Sequence, residues 1–111
     1  MNSQETIENK ISSVRKYLTI LENYKKYTRS QIEESLDLRG AVERYLYLAI
    51  QSTIDLAGAY ISYRNYRKPT TMSDSFVILK ERKVVPDEII KKMILMTGLR
   101  NVITHDYDEL D

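Results

Sequence analysis

Residues 39–66 read "RGAVERYLYLAIQSTIDLAGAYISYRNY", and the spacing of their apolar side chains decides the fold. Val42, Tyr45, Leu46, Ala49, Ile50, Thr53, Ile54, Ala57 and Ile61 recur at mostly three- and four-residue intervals. That is the signature of a helix with one wide buried face; a strand would alternate. A helix over these residues rises about 42 Å at 1.5 Å per residue, while a compact domain of this size has a radius of gyration of only about 13 Å. The expectation is an elongated bundle built around this helix, or one that shares the helix with a partner.

On the N-terminal side, Ile7, Ile11, Val14, Leu18 and Leu21 step by three and four among charged and polar neighbours, which predicts a first helix over about 4–27. The intervening "TRSQIEESLDLRG" is polar and short, suited to a turn with a helical fragment between two long antiparallel neighbours. On the other side, "RKPTTMSDSFVILKERKVVPDE" breaks at Pro69 and again before Pro86. A short amphipathic helix is expected to start after Ser73 or Asp74 and run to about Arg82. Pro86 suits a first helical turn, with Asp87 and Glu88 favourable at the positive end of the helix dipole. From there Ile89, Ile90, Met93, Ile94, Met96, Thr97 and Leu99 carry a last helix toward "GLRNVITHDYDELD". With three Gly, two Pro and no repeat or linker, the chain reads as an all-α antiparallel bundle forming one domain over 1–111.

Composition narrows the chemistry. Hydrophobic residues make up 42% and charged residues 30% of the chain, which predicts a folded rather than a disordered protein. Without cysteine there is no disulfide, no thiolate nucleophile and no cysteine zinc site. The single histidine cannot build a zinc site alone. No phosphate-binding glycine loop, paired-carboxylate site or metal-ligand cluster is visible, so neither a metal nor a cofactor is expected. A net charge of +1 and a pI near 7.9 argue against a protein that coats nucleic acid by bulk electrostatics, while leaving room for a local site. Nine Tyr against one Phe and no Trp suit helices meeting along half-wet seams. No apolar run approaches the roughly 20 residues that span a bilayer, and the start "MNSQETIENKISSV" lacks a signal-peptide layout. A cytoplasmic protein with no membrane association is expected.

The only histidine lies five residues after Arg100 and two before Tyr107. On a helix, Arg100 and His105 stand about 140° apart around the axis, whereas Asn101 and His105, four apart, share a face. The acidic tail from Asp106 suggests a helix ending near the histidine, where a bend would bring His105 and Tyr107 toward Arg100 or toward a second copy of it. Chemically the set is suggestive. An imidazole exchanges protons near neutrality, a guanidinium grips phosphate oxygens, and a phenol can donate, stack or accept a group. A metal-free ribonuclease needs such parts: a base for the ribose 2′-OH, a cation for the phosphorane, a donor for the leaving oxygen. The plainer alternative is a solvated or capping His and an Arg that complements the helix dipole.

The pattern R-x-x-x-x-H-x-Y in "RNVITHDY", with "LRGAVERYLYLAIQSTIDLAGAYI" upstream and "VVPDEIIKKMILMTGLRN" between, resembles the HEPN superfamily in its HepT-like branch, over about residues 7–107. The resemblance implies a homodimeric helical bundle whose paired motifs form a composite, metal-independent endoribonuclease site acting on RNA. It further implies a toxin neutralised by an MntA-like nucleotidyltransferase antitoxin from an adjacent gene. Arg100 and His105 map onto the catalytic pair, Asn101 onto the polar residue after the arginine, and Tyr107 onto the tyrosine such antitoxins modify with AMP. Chains resembling this one continue past the H-x-Y into another helix. Here Asp111 follows four residues later, so a bundle without that helix is expected.

Two other functions stay open: a non-catalytic subunit presenting a nucleotide or substrate to a separate nucleotidyltransferase, and a bare dimerisation module. The pair Arg100 and His105 favours the nuclease, since a pure binding subunit needs neither. Among lesser features, Tyr60, Tyr63 and Tyr66 interleaved with Arg64, Arg67 and Lys68 offer base stacking or simply an exposed helix end. Glu43 and Arg44 read equally as seam residues or a solvated pair. "KERK" at 80–83 reads as a solvated face, and Met93 and Met96 as core filler.

Overall fold

The computed structural model describes residues 3–110, with side chains described through His105. Five helices follow one another: α1 (Ser3–Glu22), α2 (Arg29–Glu34), α3 (Leu36–Tyr63), α4 (Met72–Glu81) and α5 (Asp87–Leu110). The all-helical architecture is the expected one. Ile7 and Ile11 of α1 face Leu56 and Tyr60 of α3, while Tyr24 meets Tyr45 at 6.2 Å between ring centroids, so α1 and α3 run antiparallel. Met93 beside Ala57 and Arg100 bonded to Gln51 make α5 antiparallel to α3 as well. A radius of gyration of 15.5 Å and extents of 46 × 29 × 24 Å make the molecule elongated, its long dimension set by the 28-residue α3.

The helix boundaries shift for local reasons. α1 ends five residues before the expected position, because Asn23, Tyr24 and Lys25 donate to Ile20, Leu21 and Glu22. These i−3 bonds tighten the chain out of the α-helix as the Tyr24 ring turns toward Tyr27 and Tyr45. The fragment expected between the long helices is α2, opened by a reciprocal capping box in which Thr28 and Gln31 exchange side-chain-to-backbone bonds. α3 has the expected length but lies three residues earlier. Ser35 caps its start by accepting from the Leu38 N–H, and Asn65, at φ 56°, stops it. The Asn65 and Tyr66 N–H groups return to Ser62 and Ile61 carbonyls, the paired bonds of a left-handed helix stop. Lys83, also at φ 56°, closes α4 in the same way through Lys83 to Lys80 and Val84 to Leu79.

The core forms where α3, α4 and α5 meet. Ile50, Ile54, Ala57 and Ile61 present one face of α3 to Phe76, Ile78 and Leu79 of α4 and Ile90 of α5. Phe76, Ile78 and Ile90 are the largest fully buried side chains, and burying each stabilises the fold by about 1.5–3 kcal/mol. Met93 and Met96 pack against this cluster, as core filler should. Tyr60 and Tyr66 pack there too, edge to face at 6.2 Å, and Arg82 lies over the Tyr66 ring at 4.7 Å. Those two rings serve packing, which leaves the base-stacking reading only the half-exposed Tyr63.

Arg67 ties the α3–α4 connection down. Its guanidinium donates twice to the Asp74 carboxylate, at 2.8 and 2.9 Å, and twice to Glu81, at 3.0 and 3.1 Å. Asp74 also accepts from the Thr70 backbone. The Arg67 bonds, followed by the Thr70 N–H, hold the Asp74 carboxyl well below the usual carboxylate range. Glu81, in the stretch read as a solvated face, is lowered by the same arginine. Glu43 pairs with Arg39 at 2.9 Å, while Arg44 is exposed. Among the described residues, no helix is long and apolar enough to cross a membrane.

Candidate active site

α5 carries the histidine and the arginine. Pro86 sets its start, its carbonyl receiving the Ile89 and Ile90 N–H groups at 3.0 and 3.1 Å, with Asp87 and Glu88 in the first turn. Ile90, Thr97 and Ile103 are buried and fix the inward face, on which Arg100 also lies. Thr97 and Thr104 satisfy their hydroxyls on the helix itself, through the Met93 carbonyl at 3.2 Å and the Arg100 carbonyl at 2.9 Å.

The expected helix end near His105 is not found. α5 continues through Leu110, because no proline or glycine follows Gly98 and the carboxylates beyond His105 cost dipole energy without breaking the backbone ladder. The bend expected to gather His105, Tyr107 and Arg100 is therefore absent. Within one chain Arg100 faces α3 and His105 lies on the exposed side, about 140° around the helix. Helical register instead puts position 107 within about 20° of position 100, two turns further on. The Tyr107 side chain lies outside the described residues.

Arg100 is half buried and held on three sides. Its Nε donates to Gln51 Oε1 at 2.6 Å, one terminal nitrogen to Asn101 Oδ1 at 3.2 Å, and the other to the Tyr47 hydroxyl at 3.4 Å. The guanidinium carbon also lies 5.2 Å from the Tyr47 ring centroid. Three of its five N–H donors are thus engaged among the described residues, all on uncharged acceptors, and one remains on each terminal nitrogen. Gln51 passes the contact on, its amide donating to Asp55 Oδ1 at 2.9 Å, and Asp55 faces Lys10 of α1 at 3.8 Å.

Tyr47, Gln51 and Asp55 escaped the reading of the sequence. The signal was their spacing: with Glu43 they occupy every fourth position of α3, a polar row along the flank of its apolar face. Asn101 and His105, by contrast, fall together on the exposed side of α5 as their spacing implied. That side is unusually apolar. Leu95, Leu99 and Val102 are 74%, 43% and 58% exposed, and a Cβ added to Gly98 would meet no atom within 4 Å. Among the described residues no three His, Asp or Glu side chains converge as a metal site would require.

Comparison with known proteins gives one consistent answer. The family model "Ribonuclease HepT-like" matches residues 8–111. A tRNA nuclease HepT of Aphanizomenon flos-aquae is 27% identical over 105 residues, covering 95% of this chain and 71% of that protein. An mRNA nuclease HepT of Shewanella oneidensis is 28% identical over 82 residues, covering 74% of this chain and 62% of that protein, which is less than two thirds of its length. Among solved structures, a tri-AMPylated HEPN toxin of Shewanella oneidensis in complex with an MNT antitoxin superposes with a TM-score of 0.84 at 26% identity. The superposition covers all of this chain and 81% of that toxin.

Proposed function

Because this chain belongs to the ribonuclease HepT-like family, we infer that it is the toxin of a toxin–antitoxin pair and cleaves RNA without a metal ion. The names of the two relatives divide between tRNA and mRNA, so what carries to this chain is RNA cleavage rather than one RNA. The observation that carries the reading is Arg100: a half-buried guanidinium held, among the described residues, by neutral acceptors that leave an N–H on each terminal nitrogen to grip a phosphate. In this reading His105 takes the ribose 2′-OH proton, the freed oxygen attacks phosphorus, and Arg100 stabilises the charge gathering on the non-bridging oxygens. The leaving 5′-oxygen then receives a proton from an imidazolium, and a 2′,3′-cyclic phosphate remains. Asn101 supports the arginine through its amide oxygen.

The opposed faces of Arg100 and His105 make a homodimer part of this proposal. The exposed Leu95, Leu99 and Val102 beside His105, with Gly98 permitting close approach, suit a seam on which a second copy would lie. The His105 of one chain then serves the Arg100 of the other. Light scattering at increasing concentration should give twice the chain mass, and a strict monomer would defeat the shared site.

The partner antitoxin is a nucleotidyltransferase, and Tyr107 is its target. The phenol oxygen attacks the α-phosphorus of ATP, its proton is lost, and pyrophosphate leaves. AMP carried at position 107, which helical register sets within about 20° of position 100, then competes with RNA for the guanidinium. Residues 1–111 act as one helical domain in the cytoplasm, where RNA and ATP are both at hand. The test is cleavage of bulk RNA in EDTA. His105→Ala should abolish it while the helical circular dichroism persists, and Tyr107→Phe should stay active yet escape silencing by the antitoxin. Cleavage that requires added metal, or that survives loss of His105, would sink the mechanism.

A further inference from the structure

Resting on the ribonuclease reading of Arg100, we propose that Gln51 and Asp55 are positioning residues that aim the Arg100 guanidinium at an RNA phosphate while leaving its charge uncancelled. The guanidinium's shortest bond is to Gln51, Nε to Oε1 at 2.6 Å. An amide can turn over and offer its NH2 group instead, which would repel a cation. Asp55 prevents this. Its carboxylate only accepts, and it takes the Gln51 NH2 at 2.9 Å, so the amide oxygen must point back at Arg100. The other Asp55 oxygen faces Lys10 Nζ at 3.8 Å, which offsets the carboxylate's charge on the side away from the arginine.

The chemical consequence lies in the choice of acceptor. A carboxylate in the place of Gln51 would still accept from the Arg100 Nε, though without an N–H to give Asp55, but it would pair with the arginine's charge, and an incoming phosphate would have to displace it. An amide oxygen supplies the bond without the counter-charge. Tyr47 adds a second neutral contact, its ring under the guanidinium at 5.2 Å and its hydroxyl at 3.4 Å. The guanidinium is thereby fixed in plane and direction before RNA arrives, the preorganisation that makes electrostatic stabilisation effective.

The experiment combines two readouts on the full chain: solvent exchange of the Arg100 side-chain Nε–H by NMR, and single-turnover cleavage of bulk transfer RNA. Gln51→Leu should speed the exchange and lower the cleavage rate on the order of a hundredfold, the usual cost of misplacing a reacting group by an ångström, with little change in KM. Asp55→Asn, a change at a partly exposed side chain that spares the core, should move both readouts the same way by less. Gln51→Glu should keep the exchange slow and still lower cleavage at least about tenfold, separating position from charge. Unchanged exchange and cleavage in Gln51→Leu would overturn the proposal, and full activity in Gln51→Glu would overturn its charge clause. If Arg100→Ala cleaves like the unsubstituted chain, the ribonuclease reading of Arg100 fails. Exchange accelerated by Gln51→Leu would even then uphold Gln51 as the residue that holds the guanidinium.

Discussion

Arg67 and Arg100 are each fastened by several side chains at once, yet they are fastened with opposite chemistry. Arg67 takes its bonds from two carboxylates, Asp74 and Glu81, which spend its charge inside the molecule. Among the described residues Arg100 takes its bonds from an amide of α3, an amide of its own helix and a phenol, which hold it without neutralising it. One cation ties a connection together, and the other, in the function proposed above, is kept for an anion from outside. The two arginines thus differ most plainly in their acceptors: carboxylates for Arg67 and, among the described residues, neutral oxygens for Arg100.

The largest effect should come from breaking the functional side. Arg100→Ala is expected to slow RNA cleavage by about 10²- to 10³-fold, the usual loss when one transition-state donor is removed, with the melting curve little changed. Arg100→Lys should restore little, because an ammonium cannot reproduce the fork that Gln51, Asn101 and Tyr47 orient. Arg67→Ala should do the reverse, lowering the melting midpoint while leaving the cleavage rate intact. Equal rate losses in Arg67→Ala and Arg100→Ala would erase the distinction.

A pH titration sharpens it further. The Asp74 carboxyl is held well below its ordinary value by Arg67 and then Thr70. A depressed acid contributes its stability above the unfolded value of about 3.9 and loses it as pH falls toward the folded value. Denaturant midpoints of the unsubstituted chain and Asp74→Asn should therefore differ most above about pH 5 and draw together as the pH drops. A gap that stays constant to the acid limit would mean the clamp acts by shape rather than charge. The smallest effect is at the end of α4, next to the clamp. Lys83 stands at φ 56°, a conformation that costs a side-chain-bearing residue about 1 kcal/mol or somewhat more. Lys83→Gly should raise stability by up to that amount and leave cleavage unchanged.

Much of this was legible in the sequence. The apolar steps of α3 and α5 announced the bundle, and Arg100, Asn101, His105 and Tyr107 were singled out as candidates through their spacing and the resemblance it supported. The stop of α3 was not, because it rests on Asn65 in a left-handed turn where a glycine would have signalled it. The stop of α4 rests on Lys83, for which sequence offers no signal. The acidic residues after His105 suggested an ending, but carboxylates near a helix C-terminus weaken the dipole without cutting the hydrogen-bond ladder. Gln51 and Tyr47 were hidden for a different reason: their contact with Arg100 exists only once α5 lies antiparallel across α3 and sets position 100 against positions 47 and 51.

α1 has no fully buried residue, and α3 is the one described helix whose backbone approaches it within 8 Å. If α1 opens by itself while α3, α4 and α5 stay together, its amides should exchange at a free energy below that of global unfolding. Lys10, which faces Asp55 at the far end of the contacts that reach Arg100 through Gln51, rides on it. Each such opening would remove the cation facing Asp55, and the orientation of the arginine would then be coupled to the breathing of a helix whose backbone does not come within 8 Å of α5.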